Sequence, residues 1–341
     1  MRLPIPDPLR RSTVLAAVIT LAACGGDAGA AAPGGSDRSF VTQTWDTLWV
    51  AGGVEEDSLL LMPGSMAATA SQVYVADLAA ARLLAFNASD GSFAWKAGRK
   101  GAGPGEFRDP RALAALPDGG VVVADIANAR LTFVAADARS AREVPFPDVG
   151  YVGSICPLAD GTLLLSTFEQ EKPLILMRSD GTVSQRYSLP WPELADAHPI
   201  VSGAVLAATP DHSGCVLALE RGVGFATYRD GVFATYPYRE RFGVPEVEVT
   251  SQGASIVSTV TSNRVAARDV VVAGDSVFVT FVGESDWAGY LVDVYTLTDG
   301  RYRHSYRYSS PIQNMKRSGE SFVFLHQSDG YPTIVAARPG G

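Results

Sequence analysis

The feature that most constrains this chain is a short apolar run that recurs six times at a near-constant interval. The clear copies are Val73–Asp77 (Val-Tyr-Val-Ala-Asp), Val121–Asp125 (Val-Val-Val-Ala-Asp) and Leu163–Thr167 (Leu-Leu-Leu-Ser-Thr). Weaker ones are Val216–Glu220, Val277–Phe281 and Phe322–His326. Five steps separate Asp77 from His326, 249 residues in all, so the mean interval is about 50. The runs are almost continuously apolar rather than alternating, as strands covered on both faces require. Asp-Gly turn signals fall between them, at 90, 118, 160, 180, 230, 299 and 329, and no sustained helical period occurs beyond residue 40. Together these features predict an antiparallel, all-β chain built from hairpins.

An interval of about 40 to 50 residues suits a four-stranded sheet unit that repeats around an axis, and the expected fold is a six-bladed β-propeller. Third and fourth strands are legible in two units. They are Arg82–Phe86 with Phe93–Ala97, and Tyr290–Leu297 with Tyr302–Tyr308. The sixth unit stops after Phe322–His326 and Thr333–Ala337, one strand short, whereas Thr44–Val50 stands alone before the first unit. Pairing the two would close the ring and cover an exposed edge. Residues 40–341 are thus expected to form one domain. The 47% hydrophobic content belongs to strands buried between blades, and the 34 Gly and 21 Pro to turns and connections.

The first residues read as an address. Arg2, Arg10 and Arg11 precede eleven mostly apolar residues (13–23), too few to be retained as a membrane-spanning helix. The ending Leu21-Ala22-Ala23-Cys24-Gly25 resembles the lipobox of bacterial lipoproteins. That resemblance implies a signal peptide over 1–23, acylation of Cys24 (palmitate among the chains), and residence in the cell envelope with the membrane met through the lipid alone. Gly- and Ala-rich residues 24–39 are expected to be a flexible tether. The whole chain carries 28 basic and 36 acidic residues; losing Arg2, Arg10, Arg11 and Asp7 leaves 25 and 35, a formal −10. No affinity for nucleic acid is expected from such a balance. The alternation in Arg301–Tyr308, which could suggest base stacking, reads better as an outer strand with rings inward and charges on the edge.

A second resemblance covers residues 66–147. Gly98-Arg99-Lys100-Gly101-Ala102-Gly103-Pro104-Gly105-Glu106-Phe107-Arg108-Asp109-Pro110, then Pro117-Asp118-Gly119-Gly120 and Ala127-Asn128-Ala129-Arg130, are similar to an NHL repeat. This implies a six-bladed propeller of the kind found in bacterial lipoproteins. Such folds serve enzymes, sensors and binding modules alike, so the fold does not choose a function.

Candidate functional residues come from the aligned ends of the six runs: Asp77, Asp125, Thr167, Glu220, Phe281 and His326. Near one end of a central channel, a ring of oxygens there would orient a ligand or hold a divalent cation. The structural reading is favoured for Asp77 with Arg82 and for Asp125 with Arg130, each pair five apart and suited to a carboxylate–guanidinium bond. His326 is the preferred pocket residue. Trp287 and Tyr290 lie in a long strand connection, and the insertion Pro237–Asn263 holds a Ser/Thr-rich stretch; both are candidate recognition loops. His198, His212, His304 and His326 fall in different units, so no metal set, cofactor or catalytic residue is assigned. No Gly-x-Ser-x-Gly elbow occurs, and Gly98–Gly105 lacks the ending of a phosphate loop. Cys156 and Cys215 are expected as buried thiols, with a disulfide permitted in an oxidising envelope. The favoured function is non-catalytic binding of an envelope protein or small molecule; the alternative is a metal-assisted hydrolase or lyase at one channel end.

Overall fold

The computed structural model describes residues 38–52, 60–146, 149–240, 243–252, 255–261, 265–283, 289–326 and 331–340. The chain opens with β1 (Trp45–Gly52) and then forms blade 1 from β2 (Pro63–Ala68), β3 (Gln72–Asp77), β4 (Arg82–Asn87) and β5 (Phe93–Ala97). Blade 2 is β6 (Pro110–Ala115), β7 (Val121–Asp125), β8 (Arg130–Val134) and β9 (Ala141–Pro145). Blade 3 is β10 (Val152–Pro157), β11 (Thr162–Thr167), β12 (Leu174–Arg178) and β13 (Val183–Tyr187). Blade 4 is β14 (Ala204–Ala208), β15 (Cys215–Leu219), β16 (Gly224–Arg229) and β17 (Val232–Pro237). A separate hairpin, β18 (Val247–Gln252) and β19 (Ser255–Val260), precedes blade 5: β20 (Ala267–Ala273), β21 (Ser276–Phe281), β22 (Leu291–Thr296) and β23 (Tyr302–Arg307). Blade 6 is β24 (Asn314–Ser318), β25 (Ser321–His326) and β26 (Thr333–Pro339), completed by β1 in the order β1-β26-β25-β24. This is a six-bladed β-propeller, closed by the strand pairing the sequence predicts.

The six apolar runs are the second strands, and they are buried along nearly their whole length. The core is divided accordingly into six clusters, one at each blade–blade interface. At the closing interface Trp49 and Ala51 of β1 join Val323 and Leu325 of blade 6 against Met66, Val73 and Phe86 of blade 1.

Strand direction gives the propeller two unlike faces. The first strand of each blade begins, and the second ends, on what we call the mouth face, as in Pro63 opposite Asp77 and Ala267 opposite Phe281. Among the described residues, the long connections begin and end there: 98–109, 188–203, 238–266 with its hairpin, and 282–290. The far face carries short hairpins, and six of the seven Asp-Gly signals fall in them; position 329 lies outside the described residues. In five of these six turns the aspartate Oδ1 accepts the backbone N–H two residues on, as from Asp90 to Ser92 and from Asp160 to Thr162 (both 2.9 Å). The Ser92, Thr162 and Thr296 hydroxyls, with those backbone bonds second, hold the carboxyls of Asp90, Asp160 and Asp299 below their usual range, whereas at Asp180 the Thr182 backbone bond leads.

Two expectations are corrected here. Cys156 on β10 and Cys215 on β15 are not separate thiols but a buried disulfide between blades 3 and 4. Adjacent blades bring strands of different rank side by side at their shared interface, so strand rank was no bar to pairing. The folded body also begins before residue 40. Arg38 lies within the fold, its guanidinium bidentate to Asp293 (2.9 Å twice), bonded to Glu240 (2.8 Å), and 4.8 Å from the Phe281 ring centre. Phe40 then pairs in parallel with Ser305, covering the outer edge of blade 5.

Candidate functional site

The first strands β2, β6, β10, β14, β20 and β24 line a central channel of about 780 Å³. Three of them carry a side chain that caps the neighbouring strand. Ser65 Oγ accepts from Leu113 N (3.2 Å), Ser154 Oγ from Leu206 N (2.9 Å) and Asp269 Oδ2 from Met315 N (2.9 Å). These bonds tie blades 1 to 2, 3 to 4 and 5 to 6 around the axis. Asp269 is almost wholly buried and is neutralised by Lys316 at 2.7 Å, so its charge is spent inside the fold.

Four first strands share an irregularity at the mouth. The ladder skips one residue in β2, β6, β10 and β20, between Pro63 and Ser65, Pro110 and Ala112, Val152 and Ser154, and Ala267 and Asp269. The residues set out of register are Gly64, Arg111, Gly153 and Arg268, and all four line the channel. A bulge re-aims its side chain, and here it turns two guanidiniums into the opening. Arg111 and Arg268 stand in blades 2 and 5, three blades apart and hence on opposite sides of the ring. Both are exposed, and Arg111 is bonded to Asp109 at 2.7 Å.

The six aligned strand ends all reach the mouth face, but they do not converge. Asp77 accepts from the backbone N–H of Leu61 and Met62 and pairs with Arg82 at 3.2 Å. Asp125 accepts from Arg108 N, Asp109 N and Asn128 Nδ2, so both carboxylates hold the incoming connection to their own blade. The expected Asp125–Arg130 bond does not form. Arg130 turns to Glu143 (2.8 Å) and to the carbonyls of Ala102, Gly103 and Glu106, pinning the connection over which Phe107 is buried. Thr167 donates to the Pro173 carbonyl (2.9 Å), and Phe281 is core. His326 is buried beside the Pro311 carbonyl (3.3 Å), its imidazole pushed below the ordinary 6.5 by burial, and it does not line the channel. Tyr290 is half-buried away from the channel wall, and Trp287 lies outside the described residues. Asp77, Asp125, Thr167, Phe281 and His326 share one reason: the second strand sits one layer out, so its end serves the blade rather than the axis.

Glu220 is the exception and lines the channel. Burial pushes its carboxyl above the ordinary range, while the charges of Arg221 and Arg268 act in the opposite direction. Arg221 Nη1 is buried and meets no hydrogen-bond partner among the described residues. Beside them the wall is thinned by glycine: a Cβ on Gly203 would meet Phe168 Cε1 at 2.9 Å and Glu220 Cδ at 3.4 Å, and one on Gly153 would meet Phe168 Cε2 at 3.4 Å. Phe168 therefore lies beside Gly153 of blade 3 and Gly203 of the connection to blade 4, with Tyr151 edge-on to it at 5.4 Å. Sequence reasoning missed Arg111, Arg268, Tyr151 and Phe168 because it aligned the second strands. Aligning the first strands would place Arg111 and Arg268 with Gly64 and Gly153.

The histidines are spent separately. His198 accepts from Ile200 N (3.2 Å) and meets Ser258 Oγ (3.1 Å), which fastens the β18–β19 hairpin to the connection between blades 3 and 4. His212 bonds the Pro157 carbonyl (2.9 Å), and His304 packs edge-on to Tyr306. No three His, Cys, Asp or Glu side chains among the described residues could share a metal ion.

No family model and no curated protein matches this chain. Among solved structures it is similar to a protein from Bacteroides fragilis described as exported, at 13% identity and a TM-score of 0.58 over 87% of this chain and 95% of that one. It is also similar to a catalytically inactive virginiamycin B lyase from Staphylococcus aureus with quinupristin (14%, TM-score 0.53, 82% and 83%). The Pan2 WD40 domain of Neurospora crassa is as near in shape (9%, 0.53, 87% and 96%). What they share is the propeller. At these identities the likeness establishes the fold alone. Among the described residues no helix is long and apolar enough to cross a membrane.

Proposed function

We propose that this protein is an exported, lipid-anchored propeller that binds an envelope protein or small molecule at its mouth face without converting it. The observation that carries the reading is the convergence of Arg111, Arg268 and Glu220 on one open channel under the long connections. Rigid strands fix these side chains, and loops surround them, which is how binding propellers and other scaffolds divide the task. Export is supported by the lipobox-like ending at Cys24, by a disulfide in the core and by the exported relative in shape. The NHL likeness of residues 66–147 remains a likeness of one connector and one blade.

The hydrolase or lyase reading is less well supported, because the imidazoles serve four separate backbone or packing roles. Purification of the full chain from its own membranes in mild detergent, followed by native mass spectrometry, tests the choice. The expected result is an intact bound species that is lost in Arg268→Ala. Recovery of a chemically altered product after incubation, or capture unaffected by Arg268→Ala, overturns the binding reading. Anchoring is checked by labelled fatty acid, which should be incorporated into the chain but not into Cys24→Ser.

A further inference from the structure

We propose that the channel mouth is a site for a small organic anion with a flat, aromatic or similarly apolar face. The assignment deepens the binding reading above and rests on it.

The charge distribution points first to an anion. The whole chain is acidic, with 28 basic against 36 acidic residues. The channel wall is the reverse, with Arg111, Arg268, Lys316 and Arg317 against Glu220 and Asp269. Of these, Arg317 stands at the far-face end of β24, and Arg111 is bonded to Asp109 at 2.7 Å. Asp269 is cancelled by Lys316, and Glu220 is the carboxyl that burial inclines toward its neutral form. A cleft of one sign in a body of the other focuses its field on ligands of opposite charge. The excess is also placed, not scattered, since the bulges of β6 and β20 aim one guanidinium from each side of the ring.

The second indication is unused hydrogen-bonding capacity. Arg221 Nη1 is buried with no partner among the described residues, next to Glu220. Buried donors are normally satisfied; Arg221 does not itself line the channel, and it bears on the site through its neighbour Glu220, which does. The third is shape. Gly153, which lines the channel, and Gly203 leave room for the Phe168 ring, and Tyr151 stands exposed and edge-on to it, near Arg111. A ring placed there would meet aromatic edges and faces while its anionic group met the arginines.

Benzenesulfonate and benzenesulfonamide make the test, being nearly the same shape with and without a charge. Binding to the full chain is followed by calorimetry and by NMR of the ligands. The sulfonate should bind in the millimolar range and weaken as salt rises, whereas the sulfonamide should bind at least about tenfold more weakly. Arg111→Ala and Arg268→Ala should each cost about tenfold or more, Arg268→Glu should abolish binding, and Arg301→Ala on the far face should change nothing. Circular dichroism confirms that the variants fold, as their exposed positions allow. Equal binding of the two probes, no binding of either, or insensitivity to both arginine changes overturns the anion assignment. None of these outcomes touches the copurification result, so the two readings fail separately.

Discussion

At the scale of single residues, guanidinium groups define how this chain is assembled. Burial alone would lower the Arg38 guanidinium, but the hydrogen bonds and charges of Asp293 and Glu240 more than offset this and hold it well above its ordinary range. Arg38→Ala would leave Asp293, which is fully buried, without its counter-charge. We expect a loss of about 3 to 5 kcal/mol in urea unfolding, with Arg38→Lys falling between, since an ammonium cannot reproduce the bidentate geometry. Histidine sets the acid side. Burial lowers both His326 and His304 below 6.5, so between their folded values and 6.5 the unfolded chain binds more protons than the folded one. Stability then rises with pH in that window and falls as pH drops through it. Glu220, raised by burial, contributes in the opposite sense, favouring the fold as pH falls through its own value. Unfolding midpoints at pH 7 and pH 5 should therefore diverge in the wild type and converge partly in His326→Asn. An unchanged pH slope in that variant would remove His326 from the explanation.

At the scale of elements, ring closure depends on β1. Trp49 on this strand donates its indole N–H to the Ala88 carbonyl at 2.8 Å and lies over Gly91, in the last hairpin of blade 1. One side chain thus ties the closing strand of blade 6 to the first blade, while the break in the chain lies within blade 6, between β26 and β1. Trp49→Ala should cost about 3 to 5 kcal/mol, and limited proteolysis should then cut within residues 38–52 before any other segment. Protection of that segment in the variant would mean that ladder bonds to β26 close the ring without the indole. The connections divide by face for a related reason. Far-face hairpins are short because they join neighbours within one sheet, whereas the mouth face also carries the connections that travel from an outer strand to the next inner one and have room to carry function.

At the scale of the whole molecule, six equivalent interfaces hold the ring, and only that between blades 3 and 4 is covalently stapled. The disulfide joins residues 59 apart, a closure worth about 4 kcal/mol on the chain-entropy account. Cys156→Ala/Cys215→Ala should unfold earlier by about that amount, and the wild type should approach it in reducing agent once denaturant opens the core; coincident curves throughout would deny the staple a stabilising role. The period, the apolar runs and the orphan strand made the six-bladed ring legible, because a closed repeat writes the same burial pattern into each unit. The Asp-Gly turns and the Asp77–Arg82 bond were legible too, being local along the chain. The partner of Arg130, the Cys156–Cys215 bond, the docking of Arg38 and the pairing of Arg111 with Arg268 across the channel were not. Each joins residues whose separation along the chain carries no signal of their distance in space. The sequence by itself determined what the six repeated runs must bury, since that follows from their nearly continuous apolar composition. Which charged side chains were consumed within blades and which were left to face the axis was decided only by the tertiary structure, through bulges in the inner strands and the packing of one blade on the next.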